Sequence, residues 1–398
     1  MKSINISKFL CILCFIPLAL GISGSVNADG EEVIKLGLVG DLTGPTGVPG
    51  SATVRGFEGY INWVNDRGGV NGKKIELLIE DGKYNVPRDI ALYRELRQKN
   101  VLTVIHTWTT GTQHALAKEY IKDKNVVFPG SHSDFLFHPV NPFIFTSSVS
   151  YNMGYRAILD YLKVISKGKK IKFAYVYPDS AFGHDGKDWF EKNIKDYNVV
   201  MEKVVLNLDA TDATSQVVKI KNSNVDYVVL HLGGRTPRMF IETANRLGLA
   251  KPMVLDYNST DQDLIDMTSN VQTLKNIVGM AFYAVPTEDI PANKLINEIA
   301  EKYKIDKKYT LMGWFRQGLA DAMLVVEAIK RCGNNITSDN LREKIENIQN
   351  FNTLGLTAPI TYSAQSHIGT NKVKFIKVNL NKKTWEPFGD WVEVKKGN

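Results

Sequence analysis

Apolar runs and helix-like repeats alternate along this chain from residue 33 onward. Residues 33–40 form an apolar run of strand length, and Val54, Phe57, Ile61 and Val64 then recur at the spacing of one helix face. Similar pairs of a predicted strand and a predicted helix continue to residue 283. This alternation predicts an α/β fold with parallel sheets that are covered by helices on both faces.

The alternation comes in two blocks, which indicates two lobes. It restarts after residue 150 with a predicted helix over 154–164. Three predicted helices, 294–303, 315–330 and 339–348, then follow one another without a strand, which suggests that the chain returns to the first lobe. A chain of 398 residues is also longer than one hydrophobic core usually supports.

The first 28 residues have the features of an export signal. Lys2 and Lys8 supply positive charge, and the apolar run 9–20 is short for a membrane span. Residues 26–28, Val-Asn-Ala, offer a cleavage site, so we expect the mature chain to begin after Ala28. An uncleaved membrane anchor is the alternative.

Cysteine usage and charge argue against several classes of protein. Cys11 and Cys14 both follow a leucine, whereas a lipid-modified cysteine would follow a small residue. Cys332 would remain alone after cleavage, so no intrachain disulfide can form. The net charge of +7 comes from basic residues that are interspersed with acids, as in 296–308. No basic stripe with interleaved aromatic residues suggests nucleic-acid binding.

The glycine-rich loop after the first predicted strand raises the question of a nucleotide. Gly40, Gly44 and Gly47 do not have the spacing of a dinucleotide fingerprint, and no Gly-Lys-Ser/Thr follows as in a P-loop. A structural turn is one interpretation. The other is a loop for a different ligand, since the carboxyl ends of strands in an open α/β sheet usually hold ligands.

Motifs of enzymes and metal sites are not found in the sequence. It contains neither G-x-S-x-G nor H-E-x-x-H. His132 and His138 stand six residues apart without the partners that a zinc site requires. Asp41 and Asp185 cannot be paired as catalytic carboxylates from sequence alone. We therefore predict a protein with no metal and no cofactor that is not an enzyme.

Seven stretches occur in a characteristic order along the chain. They are IKLGLVGDLTGPTG, RGFEGYINWVNDRGGVNGKKIELLIED, HTWTTGTQHALA, VVFPGSHS, YVYPDSAFGHDG, DYVVLHLGGRTPRMFIETANRLGL and QGLADAMLVVEAIKRCG. Together they resemble the leucine/isoleucine/valine-type periplasmic solute-binding proteins of ABC importers, the branched-chain amino acid family. The resemblance covers nearly the whole chain after residue 28. It implies a type I periplasmic binding protein fold, in which two doubly wound parallel-sheet lobes are joined by three crossovers and hold the ligand between them.

The resemblance also implies how the chain is divided between the lobes. The signal peptide would be residues 1–28. The N-terminal lobe would be residues 29–148 plus 284–358, and the C-terminal lobe residues 149–283 plus 359–398. The crossings would lie near residues 146–150, 283–286 and 357–360.

In the first lobe, the resemblance places the ligand against loops that follow predicted strands. The residues implied are Val48, Thr109, Thr110, Ser131, His132 and Ser133. Considered without the resemblance, this loop favours a helix cap at Thr110 or Thr112 over a ligand site. In the family the matching loop binds the ligand carboxylate.

In the second lobe, the resemblance implies four further ligand-binding residues. Phe182 would close over the ligand, with a core phenylalanine as the alternative. Arg235 follows a predicted buried strand and would face the ligand, with an exposed arginine as the alternative. Asp256 or Tyr257 would take the place of the acid that binds an ammonium group in amino-acid-binding members. Pro49 and Arg235 depart from those members and favour an organic acid or amide, while an amino acid stays open.

The function implied is capture of a small organic solute by lobe closure and its delivery to the membrane permease of an ABC importer. A ligand sensor that passes occupancy to a signalling partner is the alternative on the same fold. We expect a monomer in the periplasm with no nucleic-acid partner.

Overall fold

The computed structural model describes residues 25–26 and 32–395. Most of the predicted signal segment and the predicted cleavage site at Ala28 lie outside the described residues. Among the described helices, none combines the length and the apolar composition that a membrane span requires.

The first sheet is built around one central strand. Its strands are β1 (Ser25–Val26), β2 (Glu32–Gly40), β3 (Lys74–Asp81) and β4 (Thr103–Thr107). Strand β2 pairs in parallel with β3 on one side and with β4 on the other, and β1 adds an antiparallel pair. The connecting helices are α1 (Gly47–Asn65), α2 (Val86–Gln98) and α3 (Thr110–Lys122).

The second sheet is larger and mostly parallel. Its strands are β5 (Ile171–Tyr177), β6 (Val199–Val205), β7 (Tyr227–Leu230), β8 (Met253–Leu255), β9 (Ile277–Ala281), β10 (Lys372–Asn379), β11 (Thr384–Pro387) and β12 (Val392–Glu393). Along the sheet the order is β11-β10-β9-β8-β7-β5-β6, with β12 beside β10. The connecting helices are α4 (Tyr151–Ile165), α5 (Ala181–Asn193), α6 (Thr214–Asn222), α7 (Thr236–Arg246) and α8 (Gln262–Asp266).

The helices after β9 return to the first lobe. They are α9 (Pro291–Lys302), α10 (Lys307–Thr310), α11 (Gly313–Cys332) and α12 (Ser338–Glu346). Helix α11 packs closely along α1. The two helices approach so tightly at Gly318 that a Cβ there would overlap the carbonyl oxygen of Thr53. Short 3-10 helices complete the fold at Asp134–Leu136, Ile194–Tyr197, Tyr257–Ser259 and Val271–Leu274.

The predicted α/β architecture with parallel sheets is confirmed, and two details differ from the sequence prediction. The sequence pattern also predicts short strands at 126–128 and 143–146, but these segments meet only in a single bridge between Val127 and Ile144. Strands β10 and β11 are antiparallel to their neighbours. Residues 380–383 suffice to connect β10 with β11, because an antiparallel pair needs no long crossover.

The third passage between the sheets lies later in the chain than the predicted residues 357–360. Ile360 and Tyr362 still pack in the hydrophobic core around the first sheet. Thr146 then bridges to Ile368, and the chain joins the second sheet at β10. The predicted lobe boundary at residue 358 therefore falls before the point where the chain leaves the first core.

Candidate ligand-binding cleft

The two parallel sheets share a strand order that creates a crevice in each lobe. In the first sheet β2 lies between β3 and β4, and in the second β5 lies between β6 and β7. The connections diverge between β2 and β4 and between β5 and β7, and such switch points hold ligands at the carboxyl ends of the strands. The loops that follow these four strands meet around the cleft.

Two neighbouring cavities lie in this cleft. The inner cavity has a volume of about 40 Å³ and is lined by Thr46, Pro49, Tyr84, Trp108, Thr109, Thr110, Gly130, Ser131, Tyr151, Phe182, Leu208, Gly233, Gly234, Asn258 and Trp314. None of these residues carries a charge. The outer cavity is larger, about 610 Å³, and opens beside it.

Three hydroxyl groups form one wall of the inner cavity, and we call Thr109, Thr110 and Ser131 the hydroxyl cluster. Thr110 Oγ1 lies 2.9 Å from Ser131 Oγ. Thr109 is the N-cap of α3, because its Oγ1 accepts a hydrogen bond of 3.0 Å from the Thr112 amide. The cap is therefore Thr109 and not Thr110 or Thr112 as the sequence suggested, and the same residue also lines the cavity. The first amides of α3 beside it have no acceptor within the helix.

The glycine-rich loop after β2 is held by Asp41, a buried carboxylate. Asp41 accepts hydrogen bonds from the Gly44 and Thr46 amides and from Thr46 Oγ1. Thr46 Oγ1 in turn accepts a hydrogen bond of 2.8 Å from Trp108 Nε1. The loop therefore places Thr46 and Trp108 against the inner cavity, and its glycines allow the tight path.

Aromatic rings form much of the wall of the inner cavity, and only one of them was predicted from the sequence. Phe182 was predicted, whereas Tyr84, Trp108, Tyr151 and Trp314 were not. The rings of Trp108 and Trp314 lie 5.1 Å apart at their centroids. Trp108 directly precedes the predicted Thr109, so its position after a buried strand was a signal that could have identified it.

His132 and Ser133, both predicted to bind the ligand, lie behind the cavity wall. His132 is buried and contacts Ser148 Oγ through Nδ1 at 2.8 Å. Burial lowers the pKa of His132 to about 3, so the imidazole is neutral. Ser133 Oγ contacts His114 Nε2 at 3.2 Å. Of the three residues predicted in this loop, only Ser131 lines the cavity, because the hydroxyl of Ser133 and the ring of His132 are used in internal hydrogen bonds.

Asp256, predicted as a partner for an ammonium group, is instead bound inside the second lobe. Its Oδ2 lies 2.5 Å from His231 Nδ1 and accepts a hydrogen bond of 2.8 Å from Asn258 Nδ2. His231 Nε2 lies 3.0 Å from the Phe182 carbonyl oxygen, and the two rings are 3.9 Å apart. The His231–Asp256 pair thus holds two cavity-lining residues, Phe182 and Asn258.

Tyr257, the other candidate for that place, also points away from the inner cavity. Its hydroxyl donates a hydrogen bond of 2.9 Å to Gln317 Oε1. Its ring lies 4.7 Å from that of Trp314. Tyr257 therefore supports the aromatic wall from behind.

Val48 and Arg235 line the outer cavity and not the inner one. Val48 is 46% exposed. Arg235 is exposed and donates a hydrogen bond of 3.3 Å to the Asp209 carbonyl oxygen. Within the described residues, no group of three or more histidine, cysteine, aspartate or glutamate side chains could hold a metal ion.

Known proteins similar to this chain include the following two binding proteins. The chain is 25% identical to a leucine-, isoleucine-, valine-, threonine- and alanine-binding protein of Pseudomonas aeruginosa over 58% of its length, and it spans only 62% of that relative. It is 23% identical to Leu/Ile/Val-binding protein homolog 1 of Brucella abortus, covering 80% of this chain and 84% of the relative.

Solved structures with the same fold include two substrate-binding proteins. A fatty acid ABC transporter substrate-binding protein from Thermomonospora curvata superimposes with a TM-score of 0.83 at 22% identity, covering 93% of this chain and 96% of that one. A branched-chain amino acid ABC transporter structure from Thermus thermophilus with bound valine gives 0.84 at 21% identity, covering 91% and 97%. These likenesses show the fold.

The family comparison confirms the resemblance seen in the sequence. The model described as periplasmic binding protein matches residues 33–384, which is most of the chain. The chain therefore belongs to the periplasmic binding protein family, whose members bind solutes and are not enzymes.

Proposed function

We propose that this protein is the extracytoplasmic solute-binding component of an ABC importer and that its ligand is a small organic acid. The observation that carries the ligand class is the inner cavity, where the hydroxyl cluster lies at the start of α3 and no charged side chain is present. Helix N-termini favour anions through their free amides and the helix dipole. A carboxylate, or an amide in its place, fits this wall.

The lack of a carboxylate in the inner cavity argues against an α-amino acid. An ammonium group that enters the cleft leaves water and needs an anionic or hydrogen-bonding partner there. Asp256 is the nearest candidate by resemblance, but both of its oxygens already accept hydrogen bonds, from His231 and Asn258 at one and from the Ser259 amide at the other. The aromatic rings around the cavity instead suit an apolar body.

A branched-chain amino acid is the second candidate. The names of the relatives from Pseudomonas aeruginosa and Brucella abortus favour it, as does the valine in the Thermus thermophilus structure. An amino acid would have to find its ammonium acceptors among hydroxyl and carbonyl groups of the cleft.

A ligand panel distinguishes the two candidates. The mature chain would be titrated by calorimetry with short aliphatic acids, aromatic acids, their amides and the matching α-amino acids. We expect binding of an acid or amide and little binding of the amino acid with the same side chain. Tight binding of leucine, isoleucine or valine, with no acid bound, would establish the second candidate instead.

Transport itself requires a cellular measurement. Deleting the protein should abolish uptake of the bound solute at low external concentration, and a chain with an intact cleft should restore it. If uptake is unchanged and only a response to the solute is lost, the protein is a sensor and not an importer component.

A further inference from the structure

Most of the open space between the lobes lies outside the inner cavity. The inner cavity measures about 40 Å³ and the outer about 610 Å³. Since one water molecule needs roughly 10–15 Å³ of cavity volume, the inner cavity holds only about three waters. The surrounding aromatic rings leave no further room there. A carboxyl or amide head fits the inner cavity, but the body of most solutes does not.

The two cavities are direct neighbours. They share the lining residues Pro49, Leu208, Gly234, Asn258 and Trp314. A ligand whose head group is bound at the hydroxyl cluster can therefore extend past these residues into the outer cavity.

Apolar side chains from both lobes line the outer cavity. Val48 and Met267 are 46% and 57% exposed, one from each side. Further apolar wall is given by Leu42, Pro45, Pro49, Leu208, Pro237, Leu264, Tyr309 and Trp314. Exposed apolar side chains that line one cavity are typical of a binding surface, and covering them recovers roughly 25 cal/mol per Å².

Both arginines of the outer cavity already have protein partners. Arg235 donates to the Asp209 carbonyl oxygen, and Arg238 donates to that of Met267 at 3.1 Å. Three aspartates, Asp209, Asp261 and Asp263, line the same cavity. Asp261 Oδ1 accepts hydrogen bonds from the Gln262 and Gly313 amides, whereas its buried Oδ2 has no hydrogen-bond partner among the described residues. Because both arginines are already engaged and three aspartates share the lining, the cavity favours an apolar chain over a second anionic group.

We infer that the ligand is an elongated amphipathic monocarboxylate whose head lies at the hydroxyl cluster and whose apolar chain fills the outer cavity. This inference rests on the proposed function and extends it, because the outer cavity becomes a second subsite that selects for chain length. A small branched acid would leave Val48 and Met267 exposed, whereas a longer chain covers both.

Calorimetric titration of the mature chain with butanoate, hexanoate and octanoate tests this subsite. Each buried methylene contributes about 0.8 kcal/mol, or about fourfold in affinity. We expect octanoate to bind at least about tenfold more tightly than butanoate. Octanedioate, which carries a second carboxylate at the far end, should bind more weakly than octanoate.

Three variants separate the subsite from the head group site. Met267→Asn should lower the ratio of octanoate to butanoate affinity by about threefold or more, since it removes part of the apolar wall. Val164→Asn is the matched control: Val164 is 73% exposed on α4, away from the cleft, and its loss should leave the ratio unchanged. Thr110→Ala should weaken both acids and preserve the ratio.

The outcomes are distinguishable. If butanoate and octanoate bind equally, or if octanedioate binds more tightly than octanoate, the apolar subsite is refuted while the proposed acid ligand stands. If Val164→Asn lowers the ratio of octanoate to butanoate affinity as much as Met267→Asn does, the chain-length effect is non-specific and the apolar subsite is also refuted. If no acid binds to the unchanged protein, the acid ligand of the proposed function fails and this inference fails with it.

Discussion

At the scale of single residues, a loop residue can serve the fold and the cleft at the same time. Thr109 caps α3 and also lines the inner cavity, whereas Thr110 bonds only to Ser131. Replacing Thr109 would therefore combine a loss of stability with a loss of binding. Thr110 offers the cleaner test of the hydroxyl cluster.

Thr110→Ala should weaken binding of the cognate acid. A lost hydrogen bond to a charged group costs about 1.5–3 kcal/mol, or roughly tenfold to a hundredfold in the dissociation constant. Thr337→Ala is the control, because Thr337 caps α12 by accepting a hydrogen bond from the Asn340 amide and does not line the cleft. It should lower stability by about 1 kcal/mol and leave the calorimetric affinity unchanged. Equal affinity in Thr110→Ala and the unchanged protein would remove this wall from the site.

A buried carboxyl between the lobes predicts how stability depends on pH. Ser147 Oγ donates a hydrogen bond of 2.5 Å to Asp321 Oδ1 and lies 2.8 Å from the Tyr283 hydroxyl. Burial raises the pKa of Asp321 to about 8. The folded protein thus keeps a proton that the unfolded chain releases above its ordinary pKa near 4. Stability from this group is complete at low pH and is lost as the pH rises from about 4 to about 8.

Asp321→Asn should therefore flatten this pH dependence and stabilise the protein most at pH 8. The slope removed is at most about 1.4 kcal/mol per pH unit. Urea unfolding at pH 5, 6.5 and 8 measures it, with Asp390→Asn at an exposed aspartate as the control. An identical slope in Asp321→Asn and the unchanged protein would mean that Asp321 is ionised in the fold.

At the scale of elements, one buried pair ties together the ends of three elements of the second lobe. His231 follows β7, Asp256 follows β8, and Phe182 begins α5. The pair is fully enclosed, with His231 and Asp256 at 0% and 2% exposure. The acid that the resemblance assigned to the ligand is thus an internal support for the cleft wall.

Asp256→Ala should destabilise the free protein by about 3–5 kcal/mol, because it leaves His231 buried without its partner. Asp256→Asn should cost less, since an amide oxygen can still accept the hydrogen bond from Nδ1. Denaturant unfolding of the ligand-free protein measures both. If Asp256→Ala keeps the stability of the unchanged protein and loses only amino acid affinity, then Asp256 serves the ligand and not the wall.

At the scale of the whole molecule, the lobes meet at a glycine. Gly234 follows β7 with φ of +58°, and a Cβ there would overlap the Pro45 carbonyl oxygen of the opposite lobe. Gly234 lines both the inner and the outer cavity, so this contact lies beside the boundary between them. A side chain at this place would keep the lobes apart.

Gly234→Ala should weaken binding by about 1–3 kcal/mol, the usual cost of overpacking, and favour an open form. Gly248→Ala is a matched control, because Gly248 has φ of +68° with no atom near its missing Cβ. Both variants carry the same backbone strain of roughly 1–2 kcal/mol, but only the first blocks the lobe contact. Small-angle scattering with and without ligand, together with calorimetry, separates them. Equal affinity in both variants would show that this contact does not form in the bound state.

The sequence by itself determined the architecture and the family of this protein. Apolar periodicity is a local property, so the alternation of strands and helices, the two blocks and the return of α9–α12 followed from it. The loops that meet at the cleft were also identified, since the ends of parallel strands lie at one edge of a sheet. Thr109, Thr110, Ser131 and Phe182, which the resemblance implied, line the inner cavity, and their binding of a ligand stays a prediction.

Only the tertiary structure decided which side chains of those loops face the cavity. Asp256 turns inward because His231, 25 residues away, offers it a hydrogen bond. Tyr257 turns inward because Gln317, 60 residues away, accepts a hydrogen bond from its hydroxyl. Trp314 reaches the cavity from a helix that no local pattern connects to the cleft. The orientation of each of these side chains depends on partners that are distant in the chain. A buried polar side chain points to where its hydrogen bonds are satisfied.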